Sequence, residues 1–248
     1  MEAIVLAGGL GTRLASRLEG IPKAMAPVAG RPFLEILLKQ LERAGCERVL
    51  LSVGHLREVI QDHFGAAFEG LALEYVVEEE PLGTGGAIRK ALERANEKAV
   101  LVLNGDTFLD ADYAAMLRFH QAQGSALTIA VTQQADAARY GEVRVEGNRI
   151  VGFKEKGPGS GLVSGSGPVS GPVPGPILGP ILINAGAYVV EKEIAWPAAL
   201  GERFSFERDF LMPEAARLAP AAFRVRGFFL DIGVPDDLDR AQTELAGF

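Results

Sequence analysis

Ala3-Ile4-Val5-Leu6-Ala7-Gly8-Gly9-Leu10-Gly11-Thr12-Arg13-Leu14, followed a little later by Lys23, decides how the chain reads. The β-branched and aliphatic run stops at a glycine pair, which predicts a buried strand ending in a turn. Glycines at 8, 9 and 11 leave the backbone bare, so its N–H groups can close around an anion. Arg13 adds a permanently charged fork for phosphate oxygens, and Lys23 a mobile point charge. The stretch predicts a polyphosphate site. Neither the dinucleotide turn G-x-G-x-x-G nor the P-loop G-x-x-x-x-G-K-[ST] describes it. A lone glycine loop with solvated cations would be a bland turn, but the rest of the chain supplies the partners that phosphate chemistry needs.

Outward from that loop, Phe33, Leu34, Leu37, Leu38 and Leu41 recur at helical spacing and predict a helix from Phe33 to Ala44. Strands are predicted at Arg48 to Val53, Leu71 to Val77 and Ala99 to Leu103, with helices at Leu56 to Phe64 and Ala87 to Arg94. The β-α-β rhythm implies an α/β protein with parallel strands, helices on both faces and ligands at the carboxyl ends of the strands. Beyond Ala126 to Thr132, the pattern changes to a hairpin over Gly141 to Phe153, turning near Gly147-Asn148. Helices at Phe206 to Leu218 and Asp236 to Leu245 are expected to bracket a strand from Phe223 to Leu230, with Asp236 as a helix cap.

At 248 residues and 48% hydrophobic content, the chain can bury one large core, and it is read as one domain over 1–248. The net charge of −7 disfavours nucleic acid as a partner. Cys46, the only cysteine, rules out an intrachain disulfide or a cysteine-rich zinc site. With no signal-like amino terminus and no long apolar run, a cytoplasmic protein without membrane association is expected. The three histidines, His55, His63 and His120, lie in helical stretches without metal-ligand spacing and are expected at the surface or its boundary.

Asp106, in Asn104-Gly105-Asp106, and Asp231 both follow apolar strands, so two strand-end carboxylates can converge. Magnesium prefers hard oxygen ligands and binds nucleotide enzymes through one or two carboxylates plus substrate phosphates. That composition is met.

With Gly8 to Leu14 followed by Ile21-Pro22-Lys23-Ala24-Met25-Ala26-Pro27-Val28, the chain resembles the sugar-1-phosphate nucleotidyltransferases. Pro81 to Ile88, Leu103 to Thr107, Arg139-Tyr140-Gly141, Ile183 to Gly186, Phe204 to Glu207 and Leu230 to Pro235 look most like the D-glycero-D-manno-heptose 1-phosphate guanylyltransferases. Ala24 departs from the pattern, where proline is common. The resemblance implies a Rossmann-like three-layer sandwich with a mostly parallel central sheet, the nucleotide-diphospho-sugar transferase fold, and a small mixed sheet near the sugar site. It implies GTP and a sugar 1-phosphate as partners, with a homo-oligomer possible.

It also implies roles. Arg13, Lys23 and Asp106 would be catalytic, Lys23 on the reacting phosphates, and Asp106 with Asp231 would hold magnesium. Leu6, Ala7, Gly8, Gly9, Gly11 and Thr12 would bind nucleotide with Gly83. Tyr140, Gly141, Glu155, Lys156 and Asn184 would line the sugar site, with Lys156 on the sugar's phosphate. Glu78 or Glu80 could favour guanine, because guanine presents two adjacent donors that one carboxylate accepts together; the acidic run could equally be solvated. Mannose 1-phosphate guanylyltransferases and sugar-1-phosphate uridylyl- or thymidylyltransferases share the scaffold. A non-catalytic regulatory relative should have lost Arg13, Lys23 or an aspartate, and all are present.

The glycine- and proline-rich run at 157–180 departs from its surroundings and reads as an inserted loop beside the sugar site. Loop-closure entropy grows slowly with length, so such an insertion should cost little stability.

Overall fold

The structure, a computed structural model, describes residues 1–9, 11–14, 16–134, 140–154, 162–163 and 181–248. Strand β1 (Glu2–Leu6) enters the glycine loop, and short 3-10 turns follow at Thr12–Leu14 and Lys23–Met25. A ribbon, β2 (Pro27–Val28) and β3 (Arg31–Pro32), leads into helix α1 (Phe33–Arg43). Next come β4 (Arg48–Val53), α2 (Arg57–Phe64), β5 (Ala67–Phe68), β6 (Leu71–Val77), α3 (Gly83–Leu92), β7 (Ala99–Asn104), β8 (Thr107–Leu109) and α4 (Tyr113–Gln123). The second half holds β9 (Leu127–Gln134), β10 (Glu142–Glu146), β11 (Arg149–Lys154), β12 (Leu162–Val163) and β13 (Ile181–Glu191). A π-helical segment, Phe206–Leu211, runs into α5 (Met212–Leu218), and β14 (Ala221–Val225), β15 (Phe229–Asp231) and α6 (Pro235–Glu244) end the chain.

Strands β7, β1, β4 and β6 lie side by side and parallel, so Asn104, Leu6, Val53 and Val77 all end at one edge. β13 reverses direction between β7 and β9, and the β10–β11 hairpin extends the same sheet. β12 pairs with β11, while the remainder of the glycine- and proline-rich run lies outside the described residues.

Alternation along β1 sets the layering. Ala3 and Val5 face one core with α1, α2, α4 and α6, while Ile4 faces another with α3, α5 and the π-helical segment. β4 repeats this, with Val49 and Leu51 opposite Leu50. A strand buried on both faces requires a continuous apolar run. On α1, Leu34, Leu37, Leu38 and Leu41 are fully buried, each contributing ~1.5–3 kcal/mol by leaving water. Cys46 is buried, which pushes its thiol up to about 12.

Four sequence expectations are corrected. Helix α3 starts at Gly83, not Ala87, because its glycines serve close packing: a Cβ on Gly85 would stand 2.1 Å from the Phe204 ring, and one on Gly86 2.3 Å from the Glu202 carbonyl. The strand expected from Phe223 to Leu230 is broken at Gly227, where a Cβ would stand 1.9 Å from the Asp110 carbonyl. β14 stays in the main sheet, and β15 leaves it to pair with β8. Val234, not Asp236, caps α6, with Pro235 in its first turn; Asp236 instead places its charge at the positive end of the helix dipole. His120 is buried, its ring nitrogens 2.9 Å from Thr128 Oγ1 and 3.1 Å from Glu191 Oε1; His55 and His63 are exposed.

Candidate active site

The carboxyl edge of the parallel strands carries the functional loops. Ala7 N–H donates to the Ser52 carbonyl and Gly105 N–H to the Leu6 carbonyl, which ties the start of the loop after β1 to β4 and the loop after β7 to β1. Gly105 is required by that approach, since its Cβ would lie 2.5 Å from Leu6 O. A cavity of about 320 Å³ opens here between Gly8, Gly54, Glu78, Glu79 and Pro81. Glu78 is fixed in its wall: Ser52 Oγ donates to one carboxylate oxygen at 2.8 Å and Leu82 N–H to the other at 3.0 Å. Gly8 leaves room for it, because a Cβ there would stand 2.9 Å from Glu78 Oε1.

On the far side of the glycine loop, Gly11 lies against the Lys23 side chain. The Lys23 ammonium reaches Asp106 Oδ2 at 2.6 Å and Asp231 Oδ1 at 4.0 Å. Both aspartates are placed by the β8–β15 ribbon, in which Asp231 pairs with Thr107 and Ile232 N–H donates to the Asp106 carbonyl. Thr107 Oγ1 donates to the other Asp106 oxygen at 3.2 Å, and Gly233 N–H to Asp231 Oδ1 at 2.7 Å. Burial and the neighbouring Asp106 raise the Asp231 carboxyl above its ordinary range, opposed by Lys23, Gly233 N–H and Arg13.

Among the described residues no three His, Cys, Asp or Glu side chains gather into a complete metal cage. Two crowded carboxylates sharing one ammonium still fit a hard divalent cation that takes its other ligands from phosphates. The crowding has a testable cost. Because Asp231 ionises less readily folded than unfolded, its stabilising contribution is present at low pH and is lost as pH rises through its raised folded value. In metal-free protein, Asp231→Asn is expected to raise Tm at pH 7, with the gain shrinking towards pH 4. Thermal denaturation in chelator reads this, and a variant less stable at pH 7 contradicts it.

A second cavity, of about 280 Å³, is lined by Asn104, Tyr140, Gly141, Asn184, Glu207 and Asp231 among others. A bulge in β13 aims Asn184: the register slips between Asn184 and Tyr188, where Gly186 takes φ +69°. Asn184 Nδ2 donates to the Tyr188 hydroxyl at 2.8 Å and its oxygen accepts from Gly186 N–H. Burial, with the charge of Glu207 added, holds the Tyr188 hydroxyl well above its ordinary pKa, so it stays a donor. The Tyr140 ring packs edge-on against Phe229 at 5.4 Å.

The structure therefore brings Gly8 and Glu78 to one cavity, Tyr140, Gly141, Asn184 and Asp231 to the other, and Lys23, Asp106 and Asp231 together. Arg13 is exposed on the turn Thr12–Leu14, and Thr12 and Gly9 are exposed beside it; Ala7 is buried at the strand end and Leu6 partly so. Glu80 is exposed and does not line the first cavity; Glu79 does. Gly83 faces the Phe204 carbonyl, 2.6 Å from a Cβ built there. Glu155 and Lys156 lie outside the described residues. Sequence reasoning missed Gly54, whose place at the end of β4 matches that of Gly8 after β1, and it missed Asn104, Tyr188 and Glu207 in the second cavity.

Three comparisons bear on this arrangement. The family model described as nucleotidyl transferase matches residues 2–247. The D-glycero-alpha-D-manno-heptose 1-phosphate guanylyltransferase of Aneurinibacillus thermoaerophilus is 39% identical over 245 residues, covering 99% of this chain and 98% of that protein. The protein of the same name from Campylobacter jejuni subsp. jejuni serotype O:2 is 40% identical over 238 residues, 96% of each. The crystal structure of HddC from Yersinia pseudotuberculosis complexed with GMP-PN superposes with a TM-score of 0.79 at 32% identity, covering 98% of this chain and 99% of that one.

Proposed function

Because the chain belongs to the nucleotidyl transferase family, we propose that it joins GTP to D-glycero-D-manno-heptose 1-phosphate, giving GDP-heptose and pyrophosphate. The observation that carries this reading is the end-to-end similarity to two proteins of that name, 39% and 40% identical. The two cavities suit it, one beside the glycine loop for the nucleotide and one beside Asp231 for the sugar phosphate.

In the proposed reaction an oxygen of the sugar's phosphate attacks the α-phosphorus of GTP. The new P–O bond forms as the bond to the β-phosphate oxygen breaks, and the electron pair leaves with pyrophosphate. A phosphate monoester is already anionic near neutral pH, so no side chain need remove a proton from it. The enzyme's work is to align two repelling anions and hold the charge that shifts to the leaving group. Arg13 meets the leaving phosphates, Lys23 sits by the reacting ones, and the bare backbone around Gly8 and Gly11 cradles the chain. Magnesium is the cation we propose for Asp106 and Asp231; bound there with substrate phosphates, it supplies charge neutralisation. Glu155 and Lys156 complete the sugar site in this reading. No helix among the described residues is long and apolar enough to cross a membrane, and we place the enzyme in the cytoplasm.

Base preference tests the nucleotide side. Glu78→Gln is expected to narrow the preference for GTP over UTP and dTTP, because it changes a fixed wall of the first cavity; Glu80→Gln should leave it unchanged. Competition kinetics with paired nucleotides measures this, and an effect confined to Glu80→Gln would reverse the assignment.

The function itself is tested by pyrophosphate release, with GTP, UTP, dTTP and ATP each crossed against heptose, mannose, glucose and muramate 1-phosphates. The highest kcat/KM is expected for GTP with the heptose. A preference for dTTP or UTP would overturn the guanylyl assignment, and a preference for mannose would overturn the sugar alone.

A further inference from the structure

The segment Phe204-Ser205-Phe206-Glu207 stands apart from the phosphate chemistry, yet it delivers a carboxylate to the sugar cavity. Phe204 and Phe206 are buried, and Glu207, directly after them, turns into the cavity wall. Its oxygens are held from two sides. The Tyr188 hydroxyl donates to Oε1 at 2.9 Å, and Thr84 Oγ1 donates to Oε2 at 3.1 Å, with Ser205 Oγ at 3.5 Å from the same atom.

Every donor in this chain has its direction fixed. Tyr188 accepts from Asn184 Nδ2 at 2.8 Å, leaving its proton for Glu207, and Thr84 accepts from Phe206 N–H at 2.8 Å, leaving its own proton for Glu207. The partners of Glu207 among the described residues are thus neutral donors. A carboxylate has about four lone-pair directions and these partners leave some of them unused. A half-buried carboxylate in a cavity, oriented by surrounding hydroxyls, is suited to accept from the hydroxyls of a ligand.

Resting on the sugar-phosphate reading above, we propose that Glu207 is a sugar-recognising residue: its carboxylate accepts a hydrogen bond from one hydroxyl of the sugar 1-phosphate, and Tyr188 and Thr84 position it. Its charge also orients the substrate. A phosphate placed against Glu207 would be repelled, so the hydroxyl end faces Glu207 and the phosphate faces Lys23. Thr84 lies in the first turn of α3, directly after the loop whose Leu82 N–H fixes Glu78, so the sugar carboxylate is anchored to the wall of the nucleotide cavity.

The test uses the full-length enzyme with GTP and the sugar 1-phosphate it prefers. Glu207→Gln keeps the shape but replaces an acceptor oxygen with a donor, and a hydrogen bond to a charged group is worth about tenfold or more in affinity. The expected result is a sugar-phosphate KM raised at least about tenfold, with the KM for GTP close to wild type and the Tm lowered modestly, because the amide NH2 must face one of the two hydroxyls that donate to residue 207. A split of this kind separates recognition from a structural role, which would raise both KM values together.

Substrates lacking a single hydroxyl identify the contact. One deoxy sugar 1-phosphate should lose about tenfold in kcat/KM with the wild-type enzyme and lose nothing further with Glu207→Gln. If Glu207→Gln does not fold, Thr84→Val and Thr84→Ser take its place: the valine variant should raise the sugar KM severalfold and the serine variant should restore it. An unchanged sugar KM in a folded Glu207→Gln or Thr84→Val enzyme overturns the proposal while the wild type still turns over. A wild type inactive with every sugar 1-phosphate overturns the underlying function as well.

Discussion

Asp106→Asn is expected to lower turnover at least about a hundredfold while the fold stays intact, and Arg13→Ala to do the same. Asparagine matches aspartate in size, so the ribbon that places residue 106, through the Asp231 to Thr107 pairing and the Ile232 to Asp106 hydrogen bond, has no reason to change. What is lost is the charge. Lys23, only 11% exposed, would lose its partner at 2.6 Å and keep Asp231 at 4.0 Å, and the pair of anionic oxygens that fits a divalent cation would be halved. Arg13 is exposed and its removal leaves no void, so any loss there belongs to transition-state charge rather than packing. Steady-state kinetics with thermal denaturation beside it separates the two. Near-normal turnover in either variant would remove the mechanism, and full activity in excess chelator would remove the cation from Asp106 and Asp231.

The parts of this molecule that were legible in advance are those governed by local pattern. β4 and β6 fall at the residues their apolar runs marked, and the hairpin turn falls at Gly147-Asn148. The converging aspartates were also legible, because each follows an apolar run. What was not legible depends on partners distant in sequence. Gly83 to Gly86 reads as a loop until Phe204 and Glu202 are seen pressed against it, at which point the glycines become the reason a helix can start there. Gly227 reads as one residue within a strand, but the approach of the Asp110 carbonyl makes it the point where β15 leaves the main sheet. Glu78 and Glu80 are indistinguishable in an acidic run; what tells them apart is that Ser52, on the earlier strand β4, and Leu82 N–H hold Glu78 in the cavity wall while Glu80 is exposed. His120 looked like a surface residue because the polar partners that allow its burial, Thr128 and Glu191, lie on other elements. Glu207 was visible as a motif letter without a role, since Tyr188 and Thr84 meet it from separate parts of the chain.

Phe206→Ala is expected to be among the most damaging single changes to stability, and for the same reason to reach the site. The ring is fully buried in the core on the α3 face, edge-on to Tyr188 at 5.1 Å and stacked on Phe210 at 5.5 Å, with Trp196 at 6.2 Å. Truncating a buried phenylalanine costs about 3–5 kcal/mol through lost transfer energy and the cavity left behind. For a chain of this length that corresponds to a fall in Tm of roughly 6–20 °C. The cavity would open beneath Tyr188, whose hydroxyl bridges Asn184 and Glu207, and beside the Phe206 N–H that orients Thr84. The sugar-phosphate KM should therefore rise along with the loss of stability. Phe206→Leu, which retains most of the volume, should recover much of the Tm. Thermal denaturation of both variants decides it: a fall of only a degree or two for Phe206→Ala would mean that the aromatic cluster is not what holds the second cavity against the sheet.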